Sequence, residues 1–384
     1  MSTVFSFHLP NYFSKNLRKE MGELYASSAI SNFALAVITL FEPIFLYSVL
    51  HFSPAKVLLF MALVYAVYIL VIPFGGKFAS VYGYRHSIAL SVPFQIFYWL
   101  ALLASIGHPN AAFLAAPVFA LQKAFYWPGF HSVMSYYGQT EQVGREFGAI
   151  YALENVSLIG GPLLGGIIAQ YLGMSAVFLA AAIIYCVSIV PLLMAAEVFV
   201  PREYSFKQTR ALYKTYPKKF LGYLGFGDEL LMLTIWPIFI YLIAKDYKDA
   251  GLLAGGASLA ATVVALFLGK ITDQYTKRLL VKIGAFFNAI FWVGRIFCGN
   301  FITTFAADSL SRTSRETLFI PLSTLTYLRA GATHVVPYAV FFEQSLAIGK
   351  LSAALLGALL FSLTGSFVVL FIVGAAYSLL YMYI

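Results

Sequence analysis

A dozen apolar stretches of about 20 residues, separated mostly by short polar connections, constrain this 384-residue chain more than any other feature. Each is long enough to cross a hydrocarbon core of about 30 Å as a helix, which satisfies its own backbone polar groups in lipid. Membrane-barrel strands are about half as long and alternate polar with apolar residues, which these stretches do not. Hydrophobic residues make up 61% of the chain and charged residues 11%, against roughly 25% charged in an average soluble domain, so a water-soluble fold is excluded. The predicted class is an all-α integral membrane protein with twelve transmembrane helices. They fall at about 25–50, 54–76, 87–107, 110–137, 147–172, 174–198, 220–244, 250–270, 280–301, 303–328, 336–362 and 365–384.

The net charge of +9 raises the question of nucleic acid, and the placement of the bases answers it. They mark every second connection: Lys77 and Arg85, then Arg202 to Lys219, then Lys270 to Lys282, with Lys15, Arg18 and Lys19 ahead of the first span. The positive-inside rule puts these loops and both termini in the cytoplasm, and anionic lipid accounts for the basic surface. No nucleic-acid partner is expected, and the expected location is the cytoplasmic (inner) membrane. The N-terminal segment shows no small-residue cleavage site ahead of a short apolar core, so no signal peptide is expected. Cys186 and Cys298 fall inside apolar runs and suggest neither disulfides nor a metal site.

The chain repeats itself. Glu42-Pro-Ile-Phe-Leu-Tyr47 recurs as Trp236-Pro-Ile-Phe-Ile-Tyr241 at an offset of 194, and Gly76-Lys recurs as Gly269-Lys at 193. Phe94 to Trp99 is echoed by Phe287 to Trp292 and Pro128 by Pro321, both at 193, while Glu154 and Gly160 match Glu343 and Gly349 at 189. Ordered matches near half the chain length indicate two six-helix halves, and an even number of spans makes them parallel repeats with a cavity at their seam. The expected organisation is a cytoplasmic segment 1–24, a six-helix bundle 25–198, a linker 199–219 and a second bundle 220–384. The linker carries Pro201, Pro217 and enough Tyr, Lys and Arg to fit an amphipathic helix on the membrane surface.

On these residues the chain resembles the major facilitator superfamily over essentially its whole length. The loop after the second span looks like the family's Gly-x-x-x-Asp-(Arg/Lys)-x-Gly-(Arg/Lys)-(Arg/Lys) signature, with Gly76, Gly83 and Arg85 in place but Ser80 where the family has aspartate. The second copy keeps its acid, Asp273, followed by Lys277 and Arg278. The resemblance implies a charge latch between helices at these loops, so gating roles are expected for Gly76, Gly83, Arg85, Asp273, Lys277 and Arg278. The fifth span, with Gly148, Ser157, Gly161, Pro162, Gly165 and Gly166, resembles a glycine-proline pattern typical of the antiporting branch. Small residues let helices approach closely and proline bends them, so this run suits either a hinge at the seam or close packing alone.

Ionisable residues within a bilayer need partners or a watery cavity. In the tenth span Asp308, Arg312 and Glu316 lie at i, i+4 and i+8, one stripe of alternating sign, with Arg315 beside it. Lys123 of the fourth span matches Glu316 by the 193 offset. The resemblance implies that spans 1, 4, 7 and 10 line the cavity. That makes Lys123, Tyr126, Trp127, Trp236, Asp308, Arg312, Arg315 and Glu316 the candidate substrate-binding residues. The competing reading of the stripe is an ion-pair network that locks the halves. A carboxyl buried in low dielectric can load and release a proton as access alternates, which makes Asp228 the first candidate for proton coupling, with Glu42 and Glu229 beside it. Neighbouring residues point about 100° apart on a helix, so at most one of Asp228 and Glu229 faces the cavity squarely. Glu154 and Glu343, pseudo-equivalent in the repeat, are read as gate contacts. His86, His108, His131 and His334 mostly mark span ends and show no metal-ligand spacing.

Together these observations predict a non-enzymatic secondary transporter that moves a small organic solute by alternating access, needs no cofactor or metal, and works as a monomer in the bilayer. Protons or another ion supply the drive. The candidate intramembrane acids outnumber the bases seven to five, which with the fifth-span pattern favours proton-coupled export of amphipathic or cationic compounds. An importer or facilitator of an anionic metabolite using Lys123, Arg312 and Arg315 is the alternative. A non-transporting scaffold or sensor is a third reading. No phosphate-binding loop, nucleophile elbow or zinc motif occurs that would suggest a pump or hydrolase.

Overall fold

The computed structural model describes the backbone of residues 19–137, 143–194, 204–272 and 275–384, with side chains except those of 19–25, 136–154 and 265–272. Every element among them is helical: α1 (Lys19–Thr39), α2 (Phe41–Ser48), α3 (Pro54–Tyr82), α4 (Tyr84–Ala104), α5 (Ala115–Tyr137), α6 (Val143–Leu172), α7 (Met174–Val187) and α8 (Ile189–Met194). Then follow α9 (Phe206–Thr215), α10 (Pro217–Leu224), α11 (Gly227–Ala244), α12 (Tyr247–Thr272), α13 (Lys277–Gly294), α14 (Phe301–Gly331), α15 (Val335–Thr364) and α16 (Phe367–Leu380). Helices occur at each place the apolar stretches mark, some of them split in two. Eight segments among the described residues are long and apolar enough to cross a membrane: α1 with α2, α3, α4, the later part of α6, α7 with α8, α10 with α11, α13 with its following turn, and α15. The helix α16 is apolar but shorter.

Local chemistry sets several boundaries. Ser53 caps α3 by accepting from the Lys56 amide, and Asn300 and Thr303 close a reciprocal capping box on α14. Between α3 and α4 the chain turns at Gly83 with φ of 108°, a left-handed conformation that strains any residue with a Cβ. The prolines Pro73, Pro93, Pro128, Pro162, Pro237 and Pro321 all sit inside helices, which neighbouring helices can support in a membrane protein.

The long helices pack in two ways. Within the first half α5 lies against α3 and α4, and α1 against α6; within the second α14 lies against α12 and α13, and α13 against α16. The halves meet most extensively where α3 runs along α15 and α6 along α12, and they also touch between α5 and both α14 and α15 and between α2 and α11. Large apolar side chains point outward, among them Leu114, Phe297 and Ile302 at 77%, 80% and 77% exposure. Water would penalise such a surface, whereas lipid solvates it.

The expected linker holds α9, whose basic residues Lys207, Arg210 and Lys214 are exposed. Its other side turns to protein. Tyr213 packs edge-on against Phe341 of α15 at 4.9 Å and donates to Gln344 Oε1 at 3.2 Å, while Phe206 meets Phe74 of α3 at 5.8 Å. The amphipathic pattern is therefore answered by the seam of α3 and α15 rather than by lipid alone.

Candidate functional site

A cavity of about 520 Å³ lies among α1, α3, α5, α6, α11, α12, α14 and α15, so both halves contribute to its wall. That volume suits a small organic solute. Lys123, Tyr126, Trp127, Trp236, Arg312, Arg315 and Glu316 line it, as do Glu229, Glu343 and Pro162. Asp308, Asp228 and Glu42 do not line it.

The α5 wall follows from helical spacing. Phe119, Lys123, Tyr126, Trp127, Phe130 and His131 recur three or four residues apart and so share one face. Tyr126 stacks on Phe130 at 5.5 Å and Trp127 on His131 at 5.2 Å, building an aromatic panel. Lys123 Nζ rests 4.3 Å from the centre of the Phe119 ring and 5.8 Å from that of Tyr65. It forms no ion pair among the described residues.

On α11 the 100° step between neighbours separates the two acids as expected, and it is Glu229 that faces the cavity. Lys350 Nζ of α15 lies 2.6 Å from Glu229, and Arg315 Nη2 lies 3.9 Å away. Asp228, ranked first for proton coupling on sequence grounds, is turned the other way and fully buried. Its carboxylate accepts from Asn288 at 2.6 Å, Tyr381 at 2.9 Å, Arg315 at 3.1 Å and Trp292 at 3.4 Å. Four donors on one buried carboxylate hold it as a structural acceptor in this conformation.

The tenth-span stripe is divided. Arg312 bridges back to Asp308 at 2.9 Å, and Asp308 also accepts from Trp236 Nε1 at 2.8 Å, so Asp308 lies behind the wall. Glu316 has Asn155 of α6 as its hydrogen-bond partner. Behind the same wall is a residue whose partners the sequence did not reveal, Arg295. Its guanidinium lies 3.8 Å from the Trp292 ring and 4.2 Å from the Trp236 ring, and it donates to Ser311 at 2.9 Å. Each of the two indoles donates its N–H to a buried aspartate, Trp236 to Asp308 and Trp292 to Asp228.

Sequence reasoning passed over His131 as a span-end histidine. It is buried within α5, with Nε2 2.7 Å from Glu343 Oε1 and Nδ1 3.0 Å from the Tyr327 hydroxyl. Tyr68 of α3 donates to the other oxygen of Glu343 at 2.7 Å. This cluster joins α3 and α5 to α14 and α15 across the cavity. The available signal was position: His131 lies two turns from Lys123 on the same face. Glu42 accepts from Tyr98 at 2.6 Å and stays within the first half.

The remaining gating candidates sit partly at helix contacts and partly on the surface. Gly76 brings α3 close to Val340 of α15, and Ser80 donates to its own helix at Lys77 O, 2.8 Å away. Arg85 is buried in the first turn of α4, while Lys277 and Arg278 are exposed at the start of α13. Gly161 and Gly165 let α6 approach Ala36 and Val37 of α1. Gly166 faces the Tyr247 carbonyl, and Gly251 of α12 faces the Pro162 carbonyl. Asp273 and the side chain of Glu154 lie outside the described residues. No group of three or more metal-ligating side chains gathers among the described residues.

This arrangement, a cavity between two helical halves with ionisable groups on its wall, has counterparts among known proteins. The crystal structure of a point mutant of the nucleoside transporter NupG superposes with a TM-score of 0.73 over 94% of this chain and 98% of that one, at 12% identity. The human organic anion transporter MFSD10 (TETRAN) gives 0.69 over 95% and 98%, also at 12% identity. At that identity the likeness speaks for the fold alone. No curated protein sequence matches the chain. The family model of the Major Facilitator Superfamily matches residues 24–226, more than half of the chain. The chain therefore belongs to the Major Facilitator Superfamily, a family of secondary transporters.

Proposed function

We propose that the protein is a proton-coupled exporter of small amphipathic solutes, working as two six-helix halves that rock about the central cavity, with both termini cytoplasmic. The solute site comprises Lys123, Tyr126, Trp127, Trp236, Arg312, Arg315 and Glu316. The observation that carries the reading is the Glu229–Lys350 pair, a carboxylate and an ammonium from different helices meeting at the cavity wall. Protonating Glu229 frees Lys350, so a proton and a conformational step share one contact. The glycine-proline run in α6 supports the export direction.

The wall changes the expected cargo. Three of the acids behind the sequence-level excess, Asp228, Asp308 and Glu42, do not line the cavity, which removes the main support for a simple cation. NupG and MFSD10 carry different cargo classes on one fold, so neither selects the cargo of this chain.

The test is uptake into proteoliposomes with an imposed pH gradient, over a panel of amphipathic compounds. The parent should concentrate at least one compound, and Glu229→Gln should abolish uphill accumulation while leaving exchange of that compound intact. A Glu229→Gln variant that still concentrates the compound removes Glu229 as the coupling group. A parent that moves no compound under any gradient removes the exporter reading.

A further inference from the structure

Taken one by one, the charges on the cavity wall nearly all have a protein counter-charge. Arg312 is held by Asp308 and Arg315 by Asp228, while Glu229 is held by Lys350. Glu343 is engaged by His131 and Tyr68. Two charged groups on the wall form no ion pair among the described residues. The direct contacts of the Lys123 ammonium are aromatic faces, Phe119 and Tyr65. Glu42 and Glu229 lie within its electrostatic range but are already bound to Tyr98 and Lys350. Glu316 meets a neutral amide, Asn155, and forms no ion pair; Arg312, one turn back, acts on it only at a distance because its own ion pair is with Asp308. One cation and one anion are thus left over, on α5 and α14, one from each half, and both line the same cavity.

We infer that the solute is a zwitterion with its two charges at opposite ends of an apolar or aromatic body, its anionic group held by Lys123 and its cationic group by Glu316. This rests on the transporter reading above and narrows it to a substrate class. A solute of one charge would leave either the lysine or the glutamate desolvated without a counter-ion, which is costly in a low-dielectric cavity. A zwitterion satisfies both and adds no net charge. Between the poles, the panel of Tyr126, Trp127 and Phe130 offers flat apolar surface to the body of the solute.

The probes are four matched compounds: 4-(aminomethyl)phenylacetate, 4-methylphenylacetate, 4-methylbenzylamine and L-phenylalanine. Their binding to the purified full chain in detergent is measured by calorimetry, so the result does not depend on coupling or direction. The end-charged zwitterion should bind at least about tenfold more tightly than either singly charged analogue and than phenylalanine, whose charges share one carbon. Lys123→Gln should abolish its advantage over the benzylamine, and Glu316→Gln its advantage over the phenylacetate. Lys123→Arg, which keeps the charge, should retain most of the preference and guards against a folding defect in Lys123→Gln. Equal binding of a singly charged analogue or of phenylalanine overturns the inference, as does a preference that survives both neutral variants or binding of none of the four. In those cases the pH-gradient assay still decides whether the protein transports, so the two readings fail separately.

Discussion

Buried charges are handled differently in the two halves. Among the described residues from α1 to α8, the acid and the base named above form no ion pair: Glu42 is bound by the Tyr98 hydroxyl and Lys123 rests on the Phe119 ring. From α11 to α15 the charges are linked, with Arg315 touching both Asp228 and Glu229, Lys350 completing the Glu229 pair, and Arg295 stacked between indoles that reach Asp228 and Asp308. A repeat in sequence has thus become a division of labour in chemistry. The linked charges of the second half are held mostly by one another, whereas Lys123 of the first half has no ion pair among the described residues and faces the cavity.

The sharpest way to break this comparison is to remove one acid from each half. Asp228→Ala leaves Arg315 and three other buried donors without their acceptor and should cost about 3–5 kcal/mol, enough to abolish monodisperse protein in detergent. Glu42→Ala removes a carboxylate that accepts from Tyr98 and should cost only about 1–3 kcal/mol. Equal losses of thermal stability would erase the distinction. Next in size, Arg295→Lys keeps the charge but loses the planar face between Trp236 and Trp292, and should lower stability by about 2 kcal/mol by denaturant titration. No change would show that stacking contributes nothing to the linked body.

The cross-cavity histidine sharpens the same contrast. His131→Leu removes the contacts to Glu343 and Tyr327 and leaves Glu343 with Tyr68 alone, and should lower thermal stability by about 1–3 kcal/mol. A variant as stable as the parent would show that the cluster across the cavity holds nothing together. The smallest effect is expected at Ser80→Ala. Its hydroxyl serves only its own helix, so stability and uptake should stay within about 0.5 kcal/mol of the parent. A large effect there would give the first-half loop a role its geometry does not support.

The membrane class, the helical segments and the family were legible because lipid imposes length and apolarity on every crossing, and the repeat shows in residue spacing. Cavity residues on α5 and α14 were legible for the same reason, since i and i+4 spacing places Lys123 with Trp127 and Arg312 with Glu316. The choice between Asp228 and Glu229 was not, because spacing says that two neighbours diverge but not which one turns inward. That depended on Asn288, Tyr381 and Arg315, distant in sequence, converging behind α11. His131 escaped notice because its partners Tyr327 and Glu343, and Tyr68 which shares Glu343 with it, come from three other helices, and no local pattern announces such a meeting.

The α6–α12 contact has a different character from everything around the cavity. Where Gly166 and Gly251 face each other's helix, backbone meets backbone and no side chain intervenes. Such a contact is held by dispersion and weak Cα–H to carbonyl interactions, which neither titrate nor respond to ionic strength. A change of charge on the cavity wall would have no electrical handle on it. Apart from the Tyr247 amide, which donates to Gln170 Oε1 at one end of the contact, rotation there breaks no directional bond, so the two helices could turn against each other like an axle in a plain bearing.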